Sequence, residues 1–199
     1  MDDAFQHDAY LIEQLIRPVV NLYRISAVVP GMDPGPAVAF VRQKRMALKE
    51  DIRFFRDENE TEELFRIKAR AVIDIGGRYD VTSTTGERIG VLEHAFAKSL
   101  VRATWRILDA DEKEVARAEE SSVPIAILRR AIDFVPYGEL VPIPYHFTIL
   151  FGDREAGILR RHLALRDRYT IELPGDPTNE LDRRLAVALG VALDAFQGR

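Results

Sequence analysis

The chain contains no cysteine. Disulfide bonds, zinc sites with thiolate ligands, thiol nucleophiles and cysteine-linked lipid anchors are therefore excluded, and a reducing compartment is compatible with the composition. The N-terminus is acidic, whereas a signal peptide needs a basic start followed by an apolar run of about 7 to 15 residues. We therefore expect a protein that is not exported and that resides in the cytoplasm.

A long hydrophobic run is missing as well. The longest wholly apolar stretch, residues 185–193, is well short of the roughly 20 residues that cross a bilayer as a helix. There is no excess of positive charge, because 28 basic and 32 acidic residues give a formal net charge of -4. We predict no transmembrane span and no surface built to hold nucleic acid.

Familiar catalytic and metal-binding motifs are also absent. The four histidines have no spacing that would place two ligands on one helical face. Segment 109–114 resembles the start of a calcium loop but lacks the glycine at the sixth position, so we interpret it as a hairpin turn. No nucleophile elbow and no glycine-rich phosphate loop occur. We predict no metal site, no cofactor and no enzymatic activity.

The bulk composition predicts one folded domain. A chain of 199 residues with 47 % hydrophobic and 30 % charged residues is long enough to bury a sizeable core and falls in the ordinary globular range. We treat residues 1–199 as a single domain, in which the first nine residues or so could be disordered.

From residue 38 onward, hydrophobic and polar residues alternate with a period of two, which is typical of β-strands. In segment 65–71, for example, Phe65 and Ile67 fall on one face of a strand and three cations on the other. Clusters of turn-forming residues separate such segments, and we interpret them as hairpin tips: 57–60, 84–87, 109–112 and 152–155. About eleven or twelve strand candidates result, at the spacing of a sandwich or barrel.

Two segments depart from this pattern and predict helices. Residues 123–134, with a serine cap and a proline in the first turn, predict a short helix that covers one end of the sheet. A C-terminal helix follows the caps offered by residues 176–179 and the negative charges of Glu180 and Asp182, and it runs to about Gln197.

The C-terminal helix has no polar side. Residues 185–193 are apolar over about two and a half turns, so no rotation of the helix presents a polar face to water. Small residues at alternate positions let strand backbones approach closely. We therefore predict a mainly β domain whose closed or nearly closed antiparallel sheet encloses this helix.

Five segments in a fixed order carry a family resemblance that extends from about Tyr10 to the C-terminus. They are Val41-Arg-Gln-Lys, Phe65-Arg-Ile-Lys, Tyr79-Asp-Val to Gly86, Ser99 to Asp109, and the helix that begins at Leu181-Asp-Arg-Arg. Together they resemble the LURP-one-related branch of the tubby C-terminal-like superfamily. The resemblance implies a barrel of about twelve antiparallel strands around a central hydrophobic C-terminal helix.

The resemblance also implies a class of ligand. The superfamily contains tubby proteins, which bind phosphoinositides, and phospholipid scramblases, so contact with lipid headgroups is expected. The chain lacks the cysteine run and the proline-rich N-terminus of scramblases, and scrambling is not expected. The phosphoinositide-binding residues of tubby do not match this sequence one by one, so no site residue is carried over.

Cations that face outward from three predicted strands are the strongest candidates for a functional site. They are Arg42, Lys44, Arg66, Lys68, Arg70, Arg102 and Arg106. If these strands neighbour one another, the cations form a ridge that can hold phosphate headgroups through charge-assisted hydrogen bonds. The alternative is a solvated face on which the cations pair with Asp and Glu of adjacent strands. Trp105 faces the other way and is expected in the core.

Two functions follow from these observations, with an enzyme as a remote third. The first is a non-enzymatic binding module that contacts anionic phospholipid or phosphoinositide headgroups, cytoplasmic and peripheral at the membrane surface. The second is a protein-interaction scaffold that recruits a protein partner through its hairpin tips and N-terminal segment. The oligomeric state is left open.

Overall fold

Twelve antiparallel strands close into a barrel. The computed structural model describes residues 3–15, 20–44, 51–70, 77–95, 103–121, 146–162 and 168–197. Each strand pairs with its neighbours in the chain, and the first pairs with the last. The strands are β1 (Ala9–Leu15), β2 (Val20–Ala27), β3 (Ala37–Lys44), β4 (Asp51–Phe55), β5 (Glu63–Ala69), β6 (Arg78–Ser83), β7 (Arg88–His94), β8 (Thr104–Leu108), β9 (Glu114–Glu120), β10 (His146–Phe151), β11 (Arg154–His162) and β12 (Arg168–Glu172). The predicted antiparallel barrel is confirmed.

The period-two pattern has the expected consequence on β5 and β8. On β5, Phe65 and Ile67 are buried in the barrel, while Lys68, which follows Ile67, is exposed to solvent. On β8, Trp105 is 1 % exposed and belongs to the hydrophobic core. Hairpin turns join β4 to β5, β6 to β7, β8 to β9 and β10 to β11, at the four predicted tips.

The barrel encloses helix α1, which spans Arg183–Gln197. All nine residues from 185 to 193 are buried, Leu185 being the most exposed of those with a side chain at 2 %. Gly190 permits close packing, because a Cβ atom there would lie 2.5 Å from Cδ1 of Ile12 and 2.9 Å from Cδ1 of Ile171. The prediction of an enclosed helix is confirmed, whereas the predicted helix at 123–134 lies outside the described residues.

The start of α1 differs from the sequence prediction. Asp182 is the N-cap, and its Oδ1 accepts a hydrogen bond of 2.9 Å from the backbone N–H of Arg184. Asp176 does not cap the helix but accepts the N–H groups of Glu180 and Leu181 at 2.8 and 3.1 Å. Its carboxylate points inward because it neutralises Arg183, whose Nη1 lies 2.5 Å from Oδ2 of Asp176, both side chains being fully buried.

Residues 3–8, which precede β1, pack against the barrel and the N-terminus of α1. Residues 3–5 form a turn of 3₁₀ helix, and the ring of Phe5 packs edge-on against Phe65 at a centroid distance of 5.6 Å. Nε of Arg183 donates a 3.1 Å hydrogen bond to the carbonyl oxygen of His7. The burial of Phe5 and the hydrogen bond from the buried guanidinium of Arg183 therefore hold this segment against the N-terminus of α1.

A charge inside the barrel should prevent folding. We expect Leu189→Lys to destabilise the domain by at least about 4 kcal/mol, because an unpaired ammonium in an apolar interior has no hydrogen-bond partner. That is a large part of the total of about 5–15 kcal/mol that is usual for a domain. Urea unfolding measures the effect.

The matched control is Val28→Lys, since Val28 is 47 % exposed. This variant should change the free energy of unfolding by no more than about 0.5 kcal/mol. A folded, soluble Leu189→Lys protein with near-normal stability would contradict the enclosed position of the helix.

The buried ion pair generates a second prediction. Asp176→Asn should cost about 3–5 kcal/mol, because it leaves the buried guanidinium of Arg183 with only the exposed carboxylate of Asp8, 3.7 Å away, as a countercharge. Replacing both partners, as in Asp176→Asn with Arg183→Met, should cost clearly less than the two single changes added together. A double-mutant cycle in urea measures this coupling, and additive effects would show that the two residues do not depend on each other.

Candidate anion-binding face

The three strands that carry the predicted cations are not neighbours. Strand β4 lies between β3 and β5, and β6 and β7 lie between β5 and β8. Arg102 lies outside the described residues, as does the side chain of Lys44. The closed sheet therefore does not join the predicted cations of the described residues into one ridge.

Strand β4 instead contributes an arginine that the sequence interpretation missed. Arg42 on β3 lies directly opposite Arg53 on β4, and Arg53 lies directly opposite Arg66 on β5. We call these three residues the arginine row. Neighbouring strands are about 4.8 Å apart, so the three Cα atoms span roughly 10 Å across the outer face of the barrel. The signal for Arg53 was its outward position between the buried Ile52 and Phe54.

Each member of the arginine row has a carboxylate partner. Like charges that lie directly opposite each other on a sheet repel, and the partners offset this repulsion. Arg42 pairs with Glu60 at 2.8 Å, Arg53 with Asp51 at 2.8 Å and Arg66 with Glu63 at 2.6 Å. The three arginine side chains remain 34–41 % exposed.

The other predicted cations of known position fall into two groups. Arg70 pairs with Asp80 and Glu112, and Arg106 pairs with Glu93 and Glu114. Lys68 is exposed and forms no ion pair with any residue of the described ranges. The described arginines are thus paired with carboxylates, as the alternative of a solvated face predicts, while Lys68 lies opposite Asp51 in the register without forming an ion pair within the described ranges.

A groove opens at one end of the arginine row. It has a volume of about 210 Å³ and is lined by Arg42, Arg53 and Phe55 together with Asp51 and Glu60. Two guanidinium groups and an aromatic ring thus border a space that the two carboxylates share. The groove combines donors for an anion with one apolar wall.

A second group of arginines lies on the outer face of β5 to β7. The carboxylate of Glu112 lies 2.8 Å from Arg70, 3.1 Å from Arg88 and 3.4 Å from Arg78. Glu112 belongs to the turn between β8 and β9, so this turn folds back over the sheet. We call Arg70, Arg78 and Arg88 the arginine triad.

Electrostatics at the triad follow from these contacts. The hydrogen bond from Arg70 is the main cause that lowers the pKa of Glu112 below its ordinary value of 4.5. The same kind of contact, first with Asp80 and then with Glu112, raises the pKa of Arg70. At Arg53 the hydrogen bond to Asp51 raises the guanidinium pKa. Glu112, Arg70 and Arg53 are therefore charged near neutral pH.

Two features are absent from the described part of the chain. Within it, no group of three His, Asp or Glu side chains is placed to hold a metal ion. Among the helices of the described ranges, none combines the length and the apolar character that a membrane crossing requires.

A closed antiparallel barrel of twelve strands around a buried C-terminal helix is consistent with the tubby-like superfamily. A family model described as LURP-one-related matches residues 37–194, and the chain belongs to this family. No curated protein and no solved structure shows a significant match to this chain. Family and fold together are consistent with a non-enzymatic binding module.

The acidic residues of the hairpin turns should make stability depend on pH. The hydroxyl of Thr61 lowers the pKa of Asp57 below 3.8, as Arg70 lowers that of Glu112. A depressed folded-state pKa means that the unfolded chain binds more protons, so this contribution is fully present above the ordinary pKa and is lost as pH falls through the folded value.

We therefore expect the free energy of unfolding to decrease from about pH 5 to about pH 3, where carboxyl groups of this kind titrate. The double variant Asp57→Asn with Glu112→Gln should show a shallower decrease. Urea unfolding at several pH values measures both slopes. Identical slopes for the two proteins would contradict the assignment.

Proposed function

We propose that this protein is a non-enzymatic binding module that docks an anionic phospholipid headgroup on the arginine row. The observation that carries the proposal is the register that places Arg42, Arg53 and Arg66 directly opposite one another on three neighbouring strands. Guanidinium groups donate two parallel hydrogen bonds to phosphate oxygens, which favours arginine over lysine in phosphate recognition. The composition agrees, since 23 of the 28 basic residues are arginines.

The carboxylate partners of the arginine row are compatible with ligand exchange. Each pair is partly exposed, and pairs of this kind contribute only about 0.2–1 kcal/mol. A phosphate monoester, such as those of a phosphoinositide headgroup, carries up to two negative charges and three acceptor oxygens. It can therefore compete with Glu60 and Asp51 for the same guanidinium groups.

Two further features support a membrane-facing ligand. Lys68 is exposed and unpaired within the described ranges, and a free cation near an anionic membrane contributes about 1 kcal/mol to attraction. Phe55 gives the groove an apolar wall. In this proposal the protein is cytoplasmic and binds peripherally at the membrane surface.

The size of the groove favours binding over catalysis. At about 210 Å³ it is smaller than the roughly 300–1,000 Å³ of pockets that enclose a small-molecule ligand. A catalytic site usually excludes water from its reacting groups, whereas this groove lies on the outer face of the barrel. A headgroup that rests on the surface needs no such enclosure.

Vesicle co-sedimentation tests the proposal. The triple variant Arg42→Gln, Arg53→Gln, Arg66→Gln should bind vesicles that contain phosphatidylserine or a phosphoinositide about 100-fold more weakly than the wild type, at about 1 kcal/mol per arginine. Vesicles of phosphatidylcholine alone should bind neither protein.

A charge-matched control separates a site from a general loss of charge. It replaces three ion-paired arginines elsewhere on the barrel: Arg117→Gln, Arg160→Gln and Arg168→Gln. The control should stay within about threefold of the wild type, because its arginines lie outside the row. An equal loss in both triple variants, or no binding of the wild type to any anionic vesicle, would refute the proposal.

A protein-interaction scaffold is the second candidate, and one observation favours it. Among the described residues, the exposed large hydrophobic side chains are Val28 and Met32, at 47 % and 55 %. Both lie on the loop between β2 and β3. The vesicle assay discriminates the candidates, since a scaffold that only recruits a protein partner through this loop should not bind anionic vesicles.

A further inference from the structure

Four hairpin turns of the barrel share one backbone feature but differ in the residue that carries it. Each has a residue in the left-handed region, and in two turns this residue is glycine: Gly86 with φ 86° and Gly152 with φ 57°. In the other two turns it is glutamate: Glu60 with φ 58° and Glu112 with φ 62°. Glycine adopts this conformation without steric conflict, whereas a residue with a Cβ atom does so at a cost of about 1 kcal/mol.

The two glutamate turns also have the same hydrogen bonds. The N–H of Glu60 donates to the carbonyl of Asp57 at 3.2 Å, and the N–H of Glu112 donates to that of Asp109 at 3.1 Å. In both turns the leading aspartate carboxylate accepts the N–H two residues later, at 2.7 and 2.9 Å. The turn itself is thus built by the aspartate, and the glutamate side chain is not needed to form it.

Both glutamates direct their carboxylates back onto arginines of the outer face. Glu60 accepts two hydrogen bonds of 2.8 Å from Nη1 of Arg42. Glu112 contacts all three members of the arginine triad. An unfavourable backbone conformation combined with three convergent guanidinium groups is the arrangement expected of a carboxylate that occupies an anion site.

The charges of the triad and of its carboxylate neighbours indicate which anion such a site would bind. Asp80 contacts Arg70 at 2.8 Å and Arg88 at 3.5 Å, and Glu93 contacts Arg78 at 2.6 Å. Three guanidinium groups therefore face two carboxylates of the sheet, and Glu112 supplies the third negative charge. A phosphate monoester, with up to two charges and three acceptor oxygens, would replace that single charge by a larger one.

We propose that the arginine triad is a binding site for a phosphate monoester and that Glu112 occupies this site from within the chain until the ligand displaces it. The site is distinct from the arginine row, and its existence does not depend on lipid binding there. Its exposure suits displacement, since the triad arginines are 25–41 % exposed and Glu112 lies on a turn that can move without opening the barrel.

The experiment removes the internal carboxylate and keeps the turn. Glu112→Gly places glycine at a position with φ 62°, so the backbone conformation is retained. Titration of ¹⁵N-labelled protein with glycerol 3-phosphate, followed by NMR, should give a dissociation constant at least tenfold lower for Glu112→Gly than for the wild type. In the wild type, saturating ligand should shift the amide signals of residues 109–113 as the turn is released.

Two control variants make the result specific. Asp111→Asn removes one negative charge from the same turn, at a residue without an ion pair in the described ranges, and should bind like the wild type. Arg88→Gln in the Glu112→Gly background should abolish the gain. The proposal is overturned if Glu112→Gly binds no more tightly than Asp111→Asn, or if the gain survives the loss of Arg88.

A second experiment decides whether the phosphate belongs to a lipid headgroup or to a soluble molecule. Vesicles that contain phosphatidic acid present the same phosphate monoester at a membrane surface. In this experiment the arginine row is silenced by Arg42→Gln, Arg53→Gln and Arg66→Gln. In that background, tighter binding of Glu112→Gly to these vesicles than to free glycerol 3-phosphate would assign the site to a lipid headgroup, and equal binding would assign it to a soluble phosphate. Circular dichroism melting checks that each variant is folded, and the amide shifts in the wild type provide a readout that needs no variant.

Discussion

Burial of an entirely apolar helix is the constraint on which the rest of this structure depends. Residues 185–193 present no polar side, so water must be excluded around the whole circumference of α1. A sheet can do this only by closing on itself, which also removes the unpaired strand edges that invite aggregation. The small residues along the helix then set how closely the strands approach, as the contact of Gly190 with Ile12 and Ile171 shows.

The N-terminus of α1 illustrates how a buried charge is accommodated in such a core. The Arg183 guanidinium is completely enclosed, and it is tolerated because Asp176, backbone carbonyls and the N-terminal segment accept its N–H groups. The same contacts close the barrel end by joining its first residues to its last helix. Removing one partner of such a pair costs more than the intact pair contributes to net stability.

Closure of the barrel also determines how its outer face is used. With the inside filled by side chains, the described strands can present functional groups only outward, where arginines and carboxylates alternate. Register places three arginines side by side, and their repulsion is balanced by acids on the same strands and on the hairpin turns. Because these pairs are exposed, they are weak enough to exchange with a stronger anion. The left-handed glutamates fit this view, since they place a negative charge where the backbone alone would favour glycine.

Sequence alone determined the parts of this protein that local periodicity and composition control. The alternation in β5 and β8 located the inner and outer faces, and the apolar run at 185–193 required an enclosing sheet. Sequence could not show that β4 separates β3 from β5, because strand order is a property of closure and not of any single strand. Tertiary structure therefore decided that Arg53 completes the arginine row, that Asp182 rather than Asp176 caps the helix, and that Glu112 reaches Arg70 from 42 residues away. The physical reason is that the two-residue repeat of the backbone sets which side of the sheet a residue faces. The residues that it meets on other strands and turns are set by register and by long-range ion pairs.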